Sequence, residues 1–177
     1  MTRYVGYIAM SLDGRIAASG DDLGWLLALG MPEEMKTDYD AFYDGIDGLV
    51  MGRRTYDWIV ANHEWAYSGK TAYVVTNRPL DTERGDVVAV SPDYPALRRR
   101  IEQAGHGTIW ILGGGIVQRS ALDAGMFDHV RVFIMPIIVG SGPLVFADGA
   151  MRRLELTGSR VWPGGSVELA YSFGEEK

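Results

Sequence analysis

The chain contains no cysteine. That excludes disulfides, thiolate metal sites and a cysteine nucleophile, and it suits a reducing compartment. Histidine is scarce: His63, His106 and His129 share no ligand spacing, so no metal site is expected. No long apolar run exists. Val132 to Val139, the longest, is far shorter than the roughly 20 residues of a membrane-spanning helix. Met1-Thr2-Arg3-Tyr4-Val5-Gly6 does not resemble a signal-peptide apolar region. The expected setting is cytoplasmic, with no membrane partner. Basic residues are the minority: 17 Lys and Arg against 23 Asp and Glu leave a net charge of −6. A broad nucleic-acid-binding face is therefore not expected. Any polyanion this chain binds must meet a local cluster of arginines.

What is present reads as one globular domain over residues 1–177. Hydrophobic residues make up 47% of the chain, enough for a real core at this length. Strand character, from β-branched and aromatic content, marks Tyr4–Met10, Gly48–Met51, Thr71–Thr76, Val87–Val90, Thr108–Leu112, His129–Pro136, Leu154–Val161 and Val167–Phe173. Many of these runs are apolar on both faces, as in a covered sheet. Helical patterns lie between them. Met31, Met35, Tyr39, Phe42 and Ile46 recur three or four apart and predict one apolar helix face. Pro32 suits the first helical position, with Glu33 and Glu34 in the first turn. Ser91-Pro92-Asp93 caps a helix that stops at Gly105, Ile116–Ala124 is another, and a short one starts near Thr55. Alternating strands and helices predict an α/β fold with a mostly parallel sheet. Trp162-Pro163-Gly164-Gly165 is turn chemistry, so the last two strands should form an antiparallel hairpin.

Four motifs sit where strands end. In Thr108-Ile109-Trp110-Ile111-Leu112-Gly113-Gly114-Gly115-Ile116, a strand meets three glycines and then a helix. Glycine admits close backbone approach, and a helix start offers unpaired N–H groups. In Val50-Met51-Gly52-Arg53-Arg54-Thr55, glycine, guanidinium groups and a hydroxyl precede a helix, which suits phosphate. Val75-Thr76-Asn77-Arg78 offers hydroxyl, amide and guanidinium groups. Each also reads as an ordinary turn or a surface polar loop. Together they could converge on one extended polyphosphate ligand, such as a dinucleotide with an extra 2′-phosphate. Ser11-Leu12-Asp13-Gly14 reads first as a turn whose Asp13 carboxylate accepts nearby backbone N–H groups. The backbone after it could line a pocket. Gly113-Gly114-Gly115 is not G-x-G-x-x-G and lies late in the chain, so a doubly wound nicotinamide domain is the weaker α/β option.

At these residues the chain resembles the dihydrofolate reductase-like superfamily. The nearer resemblance is to the reductase family named after the C-terminal domain of bacterial riboflavin-biosynthesis deaminase–reductases. Pro136-Ile137-Ile138-Val139-Gly140-Ser141-Gly142-Pro143-Leu144 belongs to the same pattern. The resemblance implies an eight-stranded, mostly parallel sheet flanked by helices, with an antiparallel C-terminal hairpin. It also implies NADPH. On that reading Gly52, Arg53, Arg54 and Thr55 hold phosphates at a helix start. Thr76, Asn77 and Arg78 hold the adenosine 2′-phosphate end. Gly113, Gly114 and Gly115, joined by a cis Gly–Gly peptide, approach the nicotinamide and pyrophosphate, with Ile116 and Val117 following. Ala17 backbone faces the carboxamide. By its register after Pro32, Glu34 is the candidate catalytic acid or substrate anchor; the plainer reading is a solvated carboxylate favoured by the helix dipole.

The chain departs from the riboflavin-pathway pattern too. The region where that pathway's reductases carry Ala-Asp-Asp-Pro reads Tyr56-Asp57-Trp58-Ile59-Val60-Ala61-Asn62-His63 here. The implied activity is hydride transfer from NADPH to a small pteridine- or pyrimidine-like heterocycle. The alternative is a non-catalytic module that binds NADPH or a small molecule. Relatives pair, which implies a homodimer with Tyr171 and Phe173 at its interface, unless those two rings are core.

Overall fold

The computed structural model describes residues 1–174. Eight strands form one sheet in the order β4-β3-β2-β5-β1-β6-β8-β7. They are β1 (Arg3–Ser11), β2 (Gly48–Gly52), β3 (Thr71–Val75), β4 (Val87–Val90), β5 (Thr108–Gly113), β6 (His129–Met135), β7 (Glu155–Val161) and β8 (Val167–Ser172). From β4 through β6 every pairing is parallel. β8 then pairs antiparallel with both β6 and β7, and Trp162–Ser166 closes the hairpin through the Trp162 N–H to Ser166 carbonyl bond of 2.9 Å. The expected mostly parallel sheet and C-terminal hairpin are both present.

Parallel neighbours need crossovers, and helices supply most of them. α1 (Gly24–Leu29) and α2 (Glu33–Asp44) link β1 to β2, and α3 (Arg53–Asn62) links β2 to β3. α4 (Tyr94–Gln103) and α5 (Gly115–Asp123) flank β5. α4 starts as its sequence predicts: the Asp93 carboxylate accepts the Ala96 N–H at 2.9 Å, a cap contributing about 1 kcal/mol. α1 was not expected; it is six residues long and buries none of them. α2 begins at Glu33, so Pro32 is its N-cap. α3 begins at Arg53, two residues before Thr55. Met31 lies outside the helix and is 52% exposed, while Met35 and Ile46 are buried.

Both faces of the sheet are packed. Tyr4, Ile8, Ile109 and Ile111 meet Leu97, Ile101, Val117 and Ala121 on the α4–α5 face. Leu49, Met51, Val74 and Trp110 meet Tyr56 and Ile59 on the other. Tyr171 and Phe173 pack against the first of these clusters, and the Phe127 and Phe173 rings lie 5.2 Å apart. Both side chains are partly buried against this chain's own core, as in the second of the two readings offered for them. β7 is the outer edge strand, and all seven of its residues are exposed. Among the described residues, no helix is long and apolar enough to cross a membrane.

The segment 136–154 straps back over the turn that follows β1. Ile16 N–H donates to the Pro143 carbonyl at 3.0 Å, and Val145 N–H to the Gly14 carbonyl at 3.0 Å. The Arg15 guanidinium donates to the Gly142 carbonyl at 2.7 Å. Asp13 anchors the strap further along: its carboxylate accepts the N–H groups of Val139 at 3.0 Å and Gly140 at 2.8 Å, and the Ser11 hydroxyl at 2.6 Å. The Ser11 hydroxyl, then the Val139 amide, hold the Asp13 carboxyl down to about 2. This corrects the expectation of nearby backbone donors: the two amides that Asp13 accepts lie 126 and 127 residues away in the chain, and its near partner is the Ser11 hydroxyl.

Candidate functional site

A cavity of about 780 Å³ opens at the C-terminal ends of β1, β2 and β5. Ligands of open α/β sheets lie at such strand ends. Two helices begin there, and neither has a side-chain cap: α3 starts from Gly52 and α5 from Gly114. Their first-turn N–H groups are the unpaired donors of a helix start, and the two starts converge. A Cβ built on Gly114 would lie 3.9 Å from Thr55 Oγ1 of α3 and 3.4 Å from Ile16 Cδ1. Gly115 is held under the strap, where a Cβ would lie 2.1 Å from the Leu144 carbonyl oxygen. Only glycine passes at that point. The Gly113–Gly114 peptide is cis.

The wall brings together most of the residues that the sequence nominates. Ala17, Gly52, Arg53, Arg54 and Thr55 line it, as do Gly114, Gly115, Ile116 and Val117. Ile116 is 75% exposed, an apolar side chain standing in the opening. The wall leaves out four of the expected cofactor residues. Gly113 is buried behind it. β3 reaches the wall only through Val75, so Thr76, Asn77 and Arg78 stand outside it. They form a local turn in which Thr76 Oγ1 accepts the Arg78 N–H at 3.0 Å.

Glu34 requires correction. It does not line the cavity. Its side chain is 66% exposed and lies 3.7 Å from Arg160 of β7. One turn further along α2, Asp38 is the carboxylate turned to the sheet. It accepts the Tyr7 hydroxyl at 3.2 Å and the Arg131 guanidinium at 2.8 Å. Arg131 also bonds Glu168 at 2.5 Å, and Glu168 accepts the Trp162 indole N–H at 2.9 Å. Burial opposes the Arg131 charge, but its bonds to Glu168 and Asp38 outweigh that and push its pKa up. Burial, reinforced by Asp38, raises the Tyr7 phenol well above its ordinary value. Tyr7 lines the cavity, so this chain of polar contacts runs from the cavity wall to the C-terminal hairpin. One cue to it was in the sequence: Arg131 and Glu168 are opposite charges that each interrupt an apolar strand.

The cavity has two chemistries. Around Gly52–Thr55 and Gly114–Val117 it is backbone and guanidinium. Along β1 and α1 it is Tyr7, Ala9, Leu23 and Leu26, joined by Trp58 of α3. Among the described residues, no group of three or more His, Asp or Glu side chains is placed to hold a metal.

The architecture and the glycine-lined strand ends define a dihydrofolate reductase-like α/β domain. The RibD C-terminal domain family matches residues 5–167, and this chain belongs to that family. It is 30% identical over 167 residues to YwjB of Bacillus subtilis strain 168, an uncharacterized protein, covering 93% of this chain and 94% of that one. Among solved structures, a Shewanella sp. PV-4 protein named for riboflavin biosynthesis superposes with a TM-score of 0.87 at 26% identity, covering 99% of this chain and all of that one. A Thermotoga maritima deaminase/5-amino-6-(5-phosphoribosylamino)uracil reductase superposes with a TM-score of 0.74 at 14% identity; the match takes in 98% of this chain and 57% of the larger protein. At that identity the likeness is one of fold.

Proposed function

We propose that this protein is an NADPH-dependent reductase that transfers hydride to a small heterocycle of pteridine or pyrimidine type. The observation that carries the reading is the meeting of two uncapped helix starts, α3 and α5, in one cavity. Two such starts present converging N–H donors and the positive ends of two helix dipoles to an anion. The donor set fits a dinucleotide: side-chain-free backbone at Gly52, Gly114 and Gly115, two arginines, and a hydroxyl at Thr55. Cβ atoms at Gly52 and Gly115 would meet Val117 and the Leu144 carbonyl, so these glycines are what let the two helix starts and the strap close together.

The bound cofactor supplies the hydride, and the protein's work is placement. The α5 N–H groups and the Arg53 and Arg54 side chains hold phosphate. Ile16 and Ala17 close the cavity from β1's side, with Ala17 buried beneath the strap. Trp58, Leu23 and Leu26 give a planar ring an apolar wall that excludes water, and Tyr7 is held protonated beside them.

A second reading, a module that binds NADPH or a small molecule without turnover, is favoured by one observation. The expected acid, Glu34, is outside the wall, and Asp38 is already engaged by Tyr7 and Arg131. Steady-state assays separate the two. Consumption of NADPH with any member of a heterocycle panel, including the ribosylaminopyrimidine intermediate of riboflavin synthesis, supports the reductase. Tight NADPH binding with no consumption across the panel supports the binding module.

A further inference from the structure

The two arginines of the α3 start are held very differently. Arg53 is bound within its own neighbourhood: Nε bonds Asp57 four residues on at 2.6 Å, and Nη1 donates to the Pro79 carbonyl at 2.8 Å. Its side chain is 25% exposed. Arg54 reaches across the cavity instead. Its Nε and Nη2 donate to one oxygen of Asp21, at 3.0 and 2.5 Å. Asp21 belongs to the loop between β1 and α1, and both residues line the cavity. The Arg54 side chain is 79% exposed.

Asp21 is also unusual in its backbone. Its φ of 62° is the only positive value at a non-glycine among the described residues. Asp tolerates this left-handed region better than most residues, though not without cost. The loop is tied at a second point, where the Ser19 and Ser141 hydroxyls lie 3.0 Å apart. The first tie is ionic, and it joins two residues of the cavity wall.

We propose that the Asp21 carboxylate is an internal competitor for the site's anion: it occupies Arg54 in the free protein and must leave it when a dinucleotide phosphate binds. This rests on the cofactor reading above. Exposed ion pairs hold weakly and are screened by salt, whereas a phosphate offers Arg54 stronger charge-assisted bonds at a helix start. Asp21 thereby sets the affinity of the site, and its release frees the loop from α3. Arg53 is paired too, but with Asp57 of its own helix and the Pro79 carbonyl, so its release would not free the β1–α1 loop.

The test is a titration of the full chain with NADPH and with NADH, read by its five tryptophans. Four proteins are compared: wild type, Asp21→Asn, Arg54→Ala and the double variant. Asparagine also tolerates the left-handed backbone, so Asp21→Asn removes charge without reshaping the loop. Tightening of NADPH binding by about two- to fivefold in Asp21→Asn, absent when Arg54 is also removed, is the expected result. Tightening for NADPH alone assigns the 2′-phosphate to Arg54; tightening for both nucleotides assigns the pyrophosphate. Unchanged or weaker NADPH binding in Asp21→Asn overturns the inference, as does equal tightening in the Arg54→Ala background. Failure of the wild type to bind either nucleotide instead overturns the cofactor reading on which the inference stands.

Discussion

Gly52 of the α3 start and Val117 of α5 stand against each other: a Cβ on Gly52 would lie 3.1 Å from Val117 Cγ2. The two helices come from strands that are neighbours in the sheet, β2 and β5, and nothing but hydrogen separates them at this point. The arrangement brings two sets of helix-start N–H groups to one place.

Replacing Gly115 with alanine puts a methyl where the Leu144 carbonyl oxygen lies 2.1 Å away. Backbone cannot yield as a side-chain tip can, so the strap must lift. The expected cost is about 1–3 kcal/mol of stability, with dinucleotide binding weakened in parallel. Denaturant melts together with nucleotide titration would check both. Gly85→Ala is the control: like Gly115 it has no positive φ, but an added Cβ meets no atom within 4 Å and the residue does not line the cavity, so it should leave binding unchanged.

Removing Arg53 and Arg54 together, each as Ala, is expected to weaken NADPH binding by about tenfold or more. Hydrogen bonds to charged groups contribute about 1.5–3 kcal/mol each, and 1.4 kcal/mol is tenfold in affinity. Equilibrium binding of NADPH to the double variant measures this. Wild-type affinity in that protein would remove both arginines from the site.

The legible part of this fold is the part that local pattern controls. β1, β5 and β6 announce themselves by β-branched and aromatic runs, and the α4 start by Ser91-Pro92-Asp93. The same holds at the strand ends, where Gly52 and Gly114 were named from composition and order. α1 was not legible because Gly24–Leu29 buries no residue and has no capping side chain, so neither periodicity nor a start signal marks it. Glu34 was placed in the right first turn, yet its surroundings were decided by Arg160, a residue on a distant strand. The Tyr7–Asp38–Arg131 contacts were equally hidden. Strand alternation says which face Tyr7 takes, but not which turn of α2 lies above it.

Acid stability should register Asp13. Its carboxyl titrates at about 2 in the folded protein, against an ordinary value of 3.8. A depressed folded pKa means the contribution is complete above the ordinary value and is lost as pH falls through 3.8 toward 2. Stability of the wild type should therefore drop across that window, and Asp13→Asn should flatten the drop. Urea midpoints taken across that interval test it. A matching slope in both proteins would contradict the anchoring role of Asp13.

At the alkaline end the sign reverses. Burial, aided by Glu102, pushes the Tyr4 phenol up to about 12 from 10.0. A phenol kept neutral by the fold contributes stability that is complete below 10.0 and lost as pH rises toward 12. Tyr4→Phe should reduce that alkaline loss, as seen in the difference between melts at neutral and high pH.

Glu168→Leu strips Arg131 and the Trp162 indole of their shared partner while both remain inside. Breaking a buried pair from one side costs about 3–5 kcal/mol, and the partial exposure of Arg131 brings the expectation to about 2–4 kcal/mol. Glu168→Gln keeps a hydrogen-bond acceptor and should cost less. Thermal melts of the two variants would order them, and an equal loss in both would show that charge, not acceptor geometry, sustains the network.

The central claim is a phosphate site built from two helix starts, and the most direct measurement is a paired titration of wild-type protein with NADPH and NADH, read by tryptophan fluorescence. Saturable NADPH binding, several-fold tighter than NADH, is the predicted result. Failure of both nucleotides to bind would contradict the account.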